Sequence, residues 1–359
     1  MGVEVDMTEV RMPKQRYGMS ASKREGQGAA TLHYPWSARR NPAFKRAEQA
    51  ASRWVQHHGL FRDRAAADRF DEVGIGMLVA LAYPDATPEL LELCAQMLAW
   101  VFIEDDRYDL APPKDQRPEQ IESRFEHYLS VLRTGRVDPS AEPAARALHD
   151  LNRRLMKAGS AAWHAHFVDT MRQFWMDGIV VETYYRARGI SPDPASYMAM
   201  RAQTVGIYIC LDLLELAVGC ELTPQLRADP ILRRVTWLTS RIVAYVNDLF
   251  SYHKERSVGD VNNYLHVLRR YESLELGEGI EHVVRVHDRE LNQFCQLDEA
   301  VRDRAPEARR SLDLYVDGCR SWMSGVLRWQ QVSPRYASGR KLLNDEGSSG
   351  APVRRARSA

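Results

Sequence analysis

Residues 97–109 read MLAWVFIEDDRYD, a wholly apolar run that turns without interruption into a cluster of acids. Just upstream, Thr87-Pro88-Glu89 carries three helix-start signals. These are a capping hydroxyl, a proline at the first helical position and an acid in the first turn. From Leu90 to Ile103 the segment becomes apolar on every side, as in a helix buried at the centre of a helical domain. The acids at its end need an explanation. On a helix Asp105 and Asp109 share a face with Asp106 beside them, and like charges at that spacing repel. Carboxylates at the end of a core helix need cations or water, and such oxygen clusters suit hard divalent ions, magnesium in particular. The alternative is a solvated helix end with Arg107 as partner.

The rest of the chain agrees with an all-α reading. Ser191-Pro192-Asp193-Pro194 opens a helix expected to run to Gly219, and Asp229-Pro230 opens another continuing to Gly259. Periodic stretches near 278–303 and 306–331 complete a helical C-terminal half, and no internal repeat is visible. Residues 1–32 and 338–359 are polar and aperiodic and are expected to be flexible flanks of one domain spanning 33–337. Arg354, Arg355 and Arg357 are read as a solvated tail rather than a nucleic-acid arm.

Composition narrows the class. The chain has 359 residues, 45% hydrophobic and 27% charged, with a net charge of +1. That balance excludes disorder along the whole chain and gives no general pull toward nucleic acid. Five scattered cysteines without a CxxC pair speak against a disulfide framework or a structural zinc site. No apolar run approaches the roughly 20 residues that span a bilayer, and the first residues do not read as a signal peptide. A cytoplasmic protein without stable membrane insertion is expected, as a monomer or homodimer.

A second constellation lies in NDLFSYHKE, residues 247–255, where Asn247, Ser251 and Glu255 recur at every fourth position. A 3.6-residue period makes them a slowly turning stripe on one helix face. An amide, a hydroxyl and a carboxylate offer three oxygens and one negative charge. That suffices for one divalent ion that also takes substrate and water ligands.

Asp105-Asp106-Arg107-Tyr108-Asp109 matches the DDxxD motif of class I terpene synthases, and NDLFSYHKE resembles their NSE motif. The order is right, with 138 residues from Asp109 to Asn247. Over residues 33–337 the chain most resembles bacterial sesquiterpene cyclases. The resemblance implies a single class I helical domain with a central active-site cavity and three magnesium ions. Asp105, Asp106, Asp109, Asn247, Ser251 and Glu255 would be the metal ligands. It also implies an isoprenoid diphosphate substrate, farnesyl diphosphate above geranyl or geranylgeranyl diphosphate. Arg201, 46 residues before Asn247, corresponds to the family's diphosphate-sensing arginine. Lys254, Arg335 and Tyr336 correspond to its other diphosphate contacts. Asp105, Arg201, Asn247, Ser251 and Glu255 are the expected catalytic set.

One position departs from the family pattern: where many bacterial members carry an aspartate three residues after the sensor arginine, Thr204 stands here. The resemblance also implies a helix break near Val205-Gly206, directing a carbonyl into the cavity. Val101, Phe102, Trp175, Tyr208, Ile209 and Trp329 are further candidates for the lining, the aromatic faces among them attracting positive charge. Two rivals remain. One is a chain-elongating prenyl diphosphate synthase, which carries a second aspartate-rich motif where this chain has NDLFSYHKE. The other is a non-catalytic helical interaction protein.

Overall fold

The computed structural model describes residues 32–109, 115, 117–304 and 309–346, and every regular element among them is helical. The first four helices are α1 (Phe44–His57), α2 (Arg64–Val73), α3 (Ile75–Ala82) and α4 (Pro88–Asp109). Next come α5 (Pro118–Thr134), α6 (Pro143–Ala158) and α7 (Ala161–Arg172), which passes through a π-helical segment, Gln173–Ile179, into α8 (Val180–Arg188). After these stand α9 (Pro194–Thr204), α10 (Ile207–Ala217), the short α11 (Pro224–Ala228) and the long α12 (Pro230–Ser257). Finally α13 (Tyr264–Glu272), α14 (Leu276–Arg304) and α15 (Arg309–Val332) lead through a 3₁₀ turn, Pro334–Tyr336, to α16 (Ala337–Glu346).

The starts follow local chemistry. Asp193 Oδ1 accepts from the amides of Ala195 and Ser196 at 3.0 and 3.1 Å, and Asp229 Oδ1 from those of Ile231 and Leu232 at 2.9 and 3.1 Å. Each aspartate satisfies amides that a helix leaves open, and the proline after it has no amide to satisfy. The helix expected from residue 191 to Gly219 is in fact two, α9 and α10, broken at Val205-Gly206 where an opening was anticipated.

α4 occupies the centre: Leu91, Cys94, Ala95, Met97, Leu98, Ala99 and Trp100 are all buried in the core, while Glu89 at its start faces water. α12 faces it from across the domain, contributing Val243, Tyr245 and Val246 to the same core.

Both expected domain limits shift. Leu32 is already buried in the core, so the packed chain begins before residue 33. At the other end α16 extends to Glu346, with Arg340 Nη1 donating to the carbonyls of Gln330 and Ser333 at 3.0 and 2.6 Å. Residues 338–346 therefore belong to the helical body rather than to a tail. The expectations for residues 1–31, for Arg354, Arg355 and Arg357, and for the Asp109 side chain lie outside what is described.

Candidate active site

The acidic end of α4, the α9–α10 break, the C-terminal half of α12 and the 3₁₀ turn surround one chamber of about 1000 Å³, counting its open mouth. Asp105, Asn247, Ser251 and Glu255 all line it, so the two oxygen-bearing motifs face a common space. Arg201, Lys254, Arg335 and Tyr336 line it too, bringing cations to the same mouth. Its deeper wall is apolar, with Leu78, Leu98, Val101, Phe102, Val243 and Val326.

The 3₁₀ turn ties the motifs together. Arg335 Nη2 donates to Asp106 Oδ1 at 2.8 Å, and next door the Tyr336 hydroxyl accepts from Asn247 Nδ2 at 3.3 Å. The turn is itself anchored, because Ser333 Oγ donates to the Glu72 carbonyl at 2.8 Å and Trp329 Nε1 to that of Val73 at 2.7 Å. Burial alone would raise the Asp106 carboxyl, but the Arg335 guanidinium, helped by Lys254 and Arg69, outweighs it and holds Asp106 below its ordinary range.

Arg201 is held from three directions. Its Nε donates to Asp248 Oδ1 at 2.9 Å, Nη1 to Thr204 Oγ1 at 3.2 Å and Nη2 to Asn247 Oδ1 at 2.6 Å. Burial disfavours its charge, but Asp248 more than compensates, so the guanidinium stays ionised. Thr204 contributes a neutral hydroxyl contact, while the orienting charge comes from Asp248. Asp248 is in turn fixed by the Tyr197 hydroxyl at 2.6 Å and the Tyr264 amide at 3.0 Å.

Along α12, Glu255 Oε2 accepts from Asn263 Nδ2 at 2.8 Å. Burial and the neighbouring Asp248 push its carboxyl up to about 7 against the pull of Arg201. Ser251 Oγ is enclosed and makes no hydrogen bond, an oxygen with a missing partner on the chamber wall. Among the described residues no three His, Cys, Asp or Glu side chains form a metal nest by themselves. The available donors are an amide, a hydroxyl and a carboxylate on one wall and carboxylates on the other, oxygen chemistry suited to a hard divalent ion.

The helix break is a backbone necessity. Gly206 has φ +74°, a left-handed conformation that a side chain would strain, and Val205 and Gly206 both line the chamber. The break also sets the register of α10: Ile207 and Cys210, three apart, face the chamber. Tyr208 and Ile209, expected in the lining, are turned away from it by the same spacing. Trp175 is a further correction. In the π-helical segment Phe174 faces the chamber, whereas Trp175 packs behind it against Phe125, Tyr128 and Trp100 at ring separations of 5.3, 5.8 and 6.0 Å. Phe102 and Trp329 line the chamber as expected, edge to face at 5.9 Å, and the Arg335 guanidinium lies 5.6 Å from the Phe102 ring centre.

Sequence reasoning missed part of the mouth. Glu182, Arg186, Asp260 and Asn262 line it, with Arg186 Nη2 bonded to Asp260 Oδ2 at 2.7 Å. No spacing rule connects α8 to the loop after α12, so no signal marked this pair. Trp322 and Val326 were within reach, since they precede Trp329 at helical spacing on α15.

Comparison with known proteins agrees with this geometry. A family described as terpene synthase family 2, C-terminal metal binding, matches residues 96–293. Germacrene A synthase of Nostoc punctiforme is 30% identical over 311 residues, covering 87% of this chain and 96% of that protein. The (+)-T-muurolol synthase of Roseiflexus castenholzii, described as farnesyl diphosphate cyclizing, is 30% identical over 314 residues, covering 87% and 95%. Among solved structures, a point variant of cucumene synthase superposes with a TM-score of 0.75 at 27% identity, covering 85% of this chain and 100% of that one.

Proposed function

The chain belongs to terpene synthase family 2, a lyase-type terpene synthase, and from that membership we propose that it is a magnesium-dependent cyclase of farnesyl diphosphate. The observation that carries the reading is the Arg335-Tyr336 pair, which touches Asp106 of one motif and Asn247 of the other across a single chamber mouth. Such a mouth fits a compact, multiply charged headgroup, and the apolar chamber beneath it fits a hydrocarbon chain. The substrate length draws on the (+)-T-muurolol synthase relative, described as cyclizing farnesyl diphosphate.

Asp105, Asp106 and Asp109 on one side and Asn247, Ser251 and Glu255 on the other would hold three magnesium ions. Bound magnesium neutralises headgroup charge and so makes the diphosphate a better leaving group. Arg201, Lys254, Arg335 and Tyr336 bind the diphosphate oxygens, and Asp248 and Thr204 keep the Arg201 fork aimed. The allylic carbon–oxygen bond breaks with its electron pair leaving on the diphosphate, and an allylic cation remains. Leu78, Leu98, Val243 and Val326 keep water from the cation, while Phe102, Phe174 and Trp329 offer ring faces at roughly 0.5–2 kcal/mol each.

Product analysis with geranyl, farnesyl and geranylgeranyl diphosphate, with and without magnesium, tests the reading. A cyclic C15 product from farnesyl diphosphate that disappears in EDTA is expected. Longer diphosphates formed on adding isopentenyl diphosphate, or hydrocarbon formation indifferent to EDTA, would contradict it.

A further inference from the structure

A second recess adjoins the chamber on the outer side of α4. It encloses about 790 Å³, counting the space at its opening, and shares Phe102 with the chamber, while its Asp106 is bonded to Arg335 of the mouth. Its apolar part comes from Leu60, Phe61, Phe70, Val73 and Ile103. Three arginines and two aspartates complete it, and most of these have work elsewhere. Arg107 Nη1 is paired with Glu104 at 2.8 Å, Asp63 caps α2 through the Ala66 amide at 2.8 Å, and Asp106 is bonded to Arg335.

Arg62 and Arg69 are different. Neither makes a hydrogen bond or ion pair among the described residues, and Arg69 Nε is shut off from bulk water without an acceptor. Two guanidinium groups without a hydrogen-bond partner among the described residues, over an apolar floor, are complementary to a molecule with a phosphorylated head and a hydrocarbon chain. We propose that this recess is an antechamber that binds a second isoprenoid diphosphate, queued beside the chamber it shares a wall with. The inference rests on the proposed function for the identity of the chain. The arginines need no metal to hold the headgroup, so the antechamber works without magnesium while the chamber requires it.

Calorimetric titration of the full chain with farnesyl thiolodiphosphate, an analogue that does not ionise, separates the sites. The native chain should bind two molecules with magnesium and one in EDTA. Arg62→Ala with Arg69→Ala should weaken the EDTA-resistant site about a hundredfold, tenfold per arginine. In turnover Arg62→Ala alone should raise KM with kcat unchanged, the mark of lost capture rather than lost chemistry. Ala66→Trp, which fills the recess without touching a charge, should remove the same site and so covers the case of a double variant that does not fold. Inorganic diphosphate, a head without a chain, should occupy the recess at least about tenfold more weakly.

A single site with magnesium and none in EDTA would overturn the proposal, as would an EDTA-resistant site that survives both sets of substitutions. Equal binding of inorganic diphosphate would overturn the amphiphile assignment. Loss of only the magnesium-dependent site in the native chain, with the arginine-dependent one intact, would fault the chamber and uphold the antechamber.

Discussion

The two walls of the chamber mouth both carry oxygen donors and are built differently. On the α4 wall the Asp106 carboxylate is held by one cation from a distant part of the chain, Arg335, and sits below its ordinary pKa range. On the α12 wall Asn247, Asp248 and Glu255 are enmeshed with Arg201, Tyr197, Asn263 and Tyr336, and Glu255 is pushed up to about 7. One wall keeps its negative charge through an external counter-ion. The other holds two acids in a crowded, desolvated network where adding a cation brings relief. The difference suggests that the α12 wall is the pre-shaped half and the α4 wall the half whose charge is exchanged as ligand arrives.

The largest expected effect comes from disabling one donor on each wall. Asp105→Asn and Asn247→Ala should each cost most of the activity, and the double variant little more, because groups acting as a unit are non-additive. Multiplicative losses in product formation would mean that the walls act separately. Next in size is stability. Asp248→Asn leaves the buried Arg201 without its charged partner and should cost about 3–5 kcal/mol. Asp106→Asn on the other wall should cost about 1–3 kcal/mol, and denaturant melts giving the reverse order would break the comparison.

The walls should also titrate in opposite directions when metal is chelated. Glu255 keeps its proton in the folded chain up to about 7 but loses it near 4.5 when unfolded, so the folded state binds more protons between those values. Stability should therefore fall as pH rises through that window, on the order of 3 kcal/mol. Asp106, depressed from 3.8, acts the other way: its contribution is present above that value and is lost as pH falls through its lower folded value. Melts in EDTA should show a steeper decline toward neutral pH in the native chain and in Asp106→Asn than in Glu255→Gln, where the buried Glu215 carboxyl, also pushed up to about 8, still contributes. A decline equally steep in Glu255→Gln would remove that residue as a source.

Much of this arrangement was legible in the residue pattern, for physical reasons. The α4 and α12 motifs lie within single helices, where a period of 3.6 fixes which side chains share a face. Asp193 and Asp229 were legible because caps are local chemistry, and the break at Gly206 because the family resemblance implied it. What was not legible depends on neighbours. The π-helical turn puts Phe174 rather than Trp175 on the chamber, the restart after Gly206 chooses Ile207 and Cys210 over Tyr208 and Ile209, and the Arg186–Asp260 pair joins elements that sequence does not connect. The role of Asp248 was hidden in plain view inside NDLFS, since only the fold shows that it faces Arg201.

A smaller effect probes how the π-helical segment supports the α12 wall. A Cβ on Gly178 would stand 3.1 Å from Thr204 Cγ2, on the turn whose hydroxyl receives Arg201. Gly178→Ala should lower activity roughly fivefold by displacing that contact. Adding Thr204→Ser, which removes the methyl and keeps the hydroxyl, should restore part of it; a double variant no better than the single would sever the link.

The most direct measurement is a thermal melt of the native chain with magnesium alone, inorganic diphosphate alone and both together. At ligand concentrations near a hundredfold over Kd, the pair together should raise Tm by about 5 °C, each alone far less, with the joint effect absent from the Asp105→Asn, Asn247→Ala double variant. An undiminished joint shift in that variant, or none in the native chain, would contradict a shared metal–diphosphate site between the two walls.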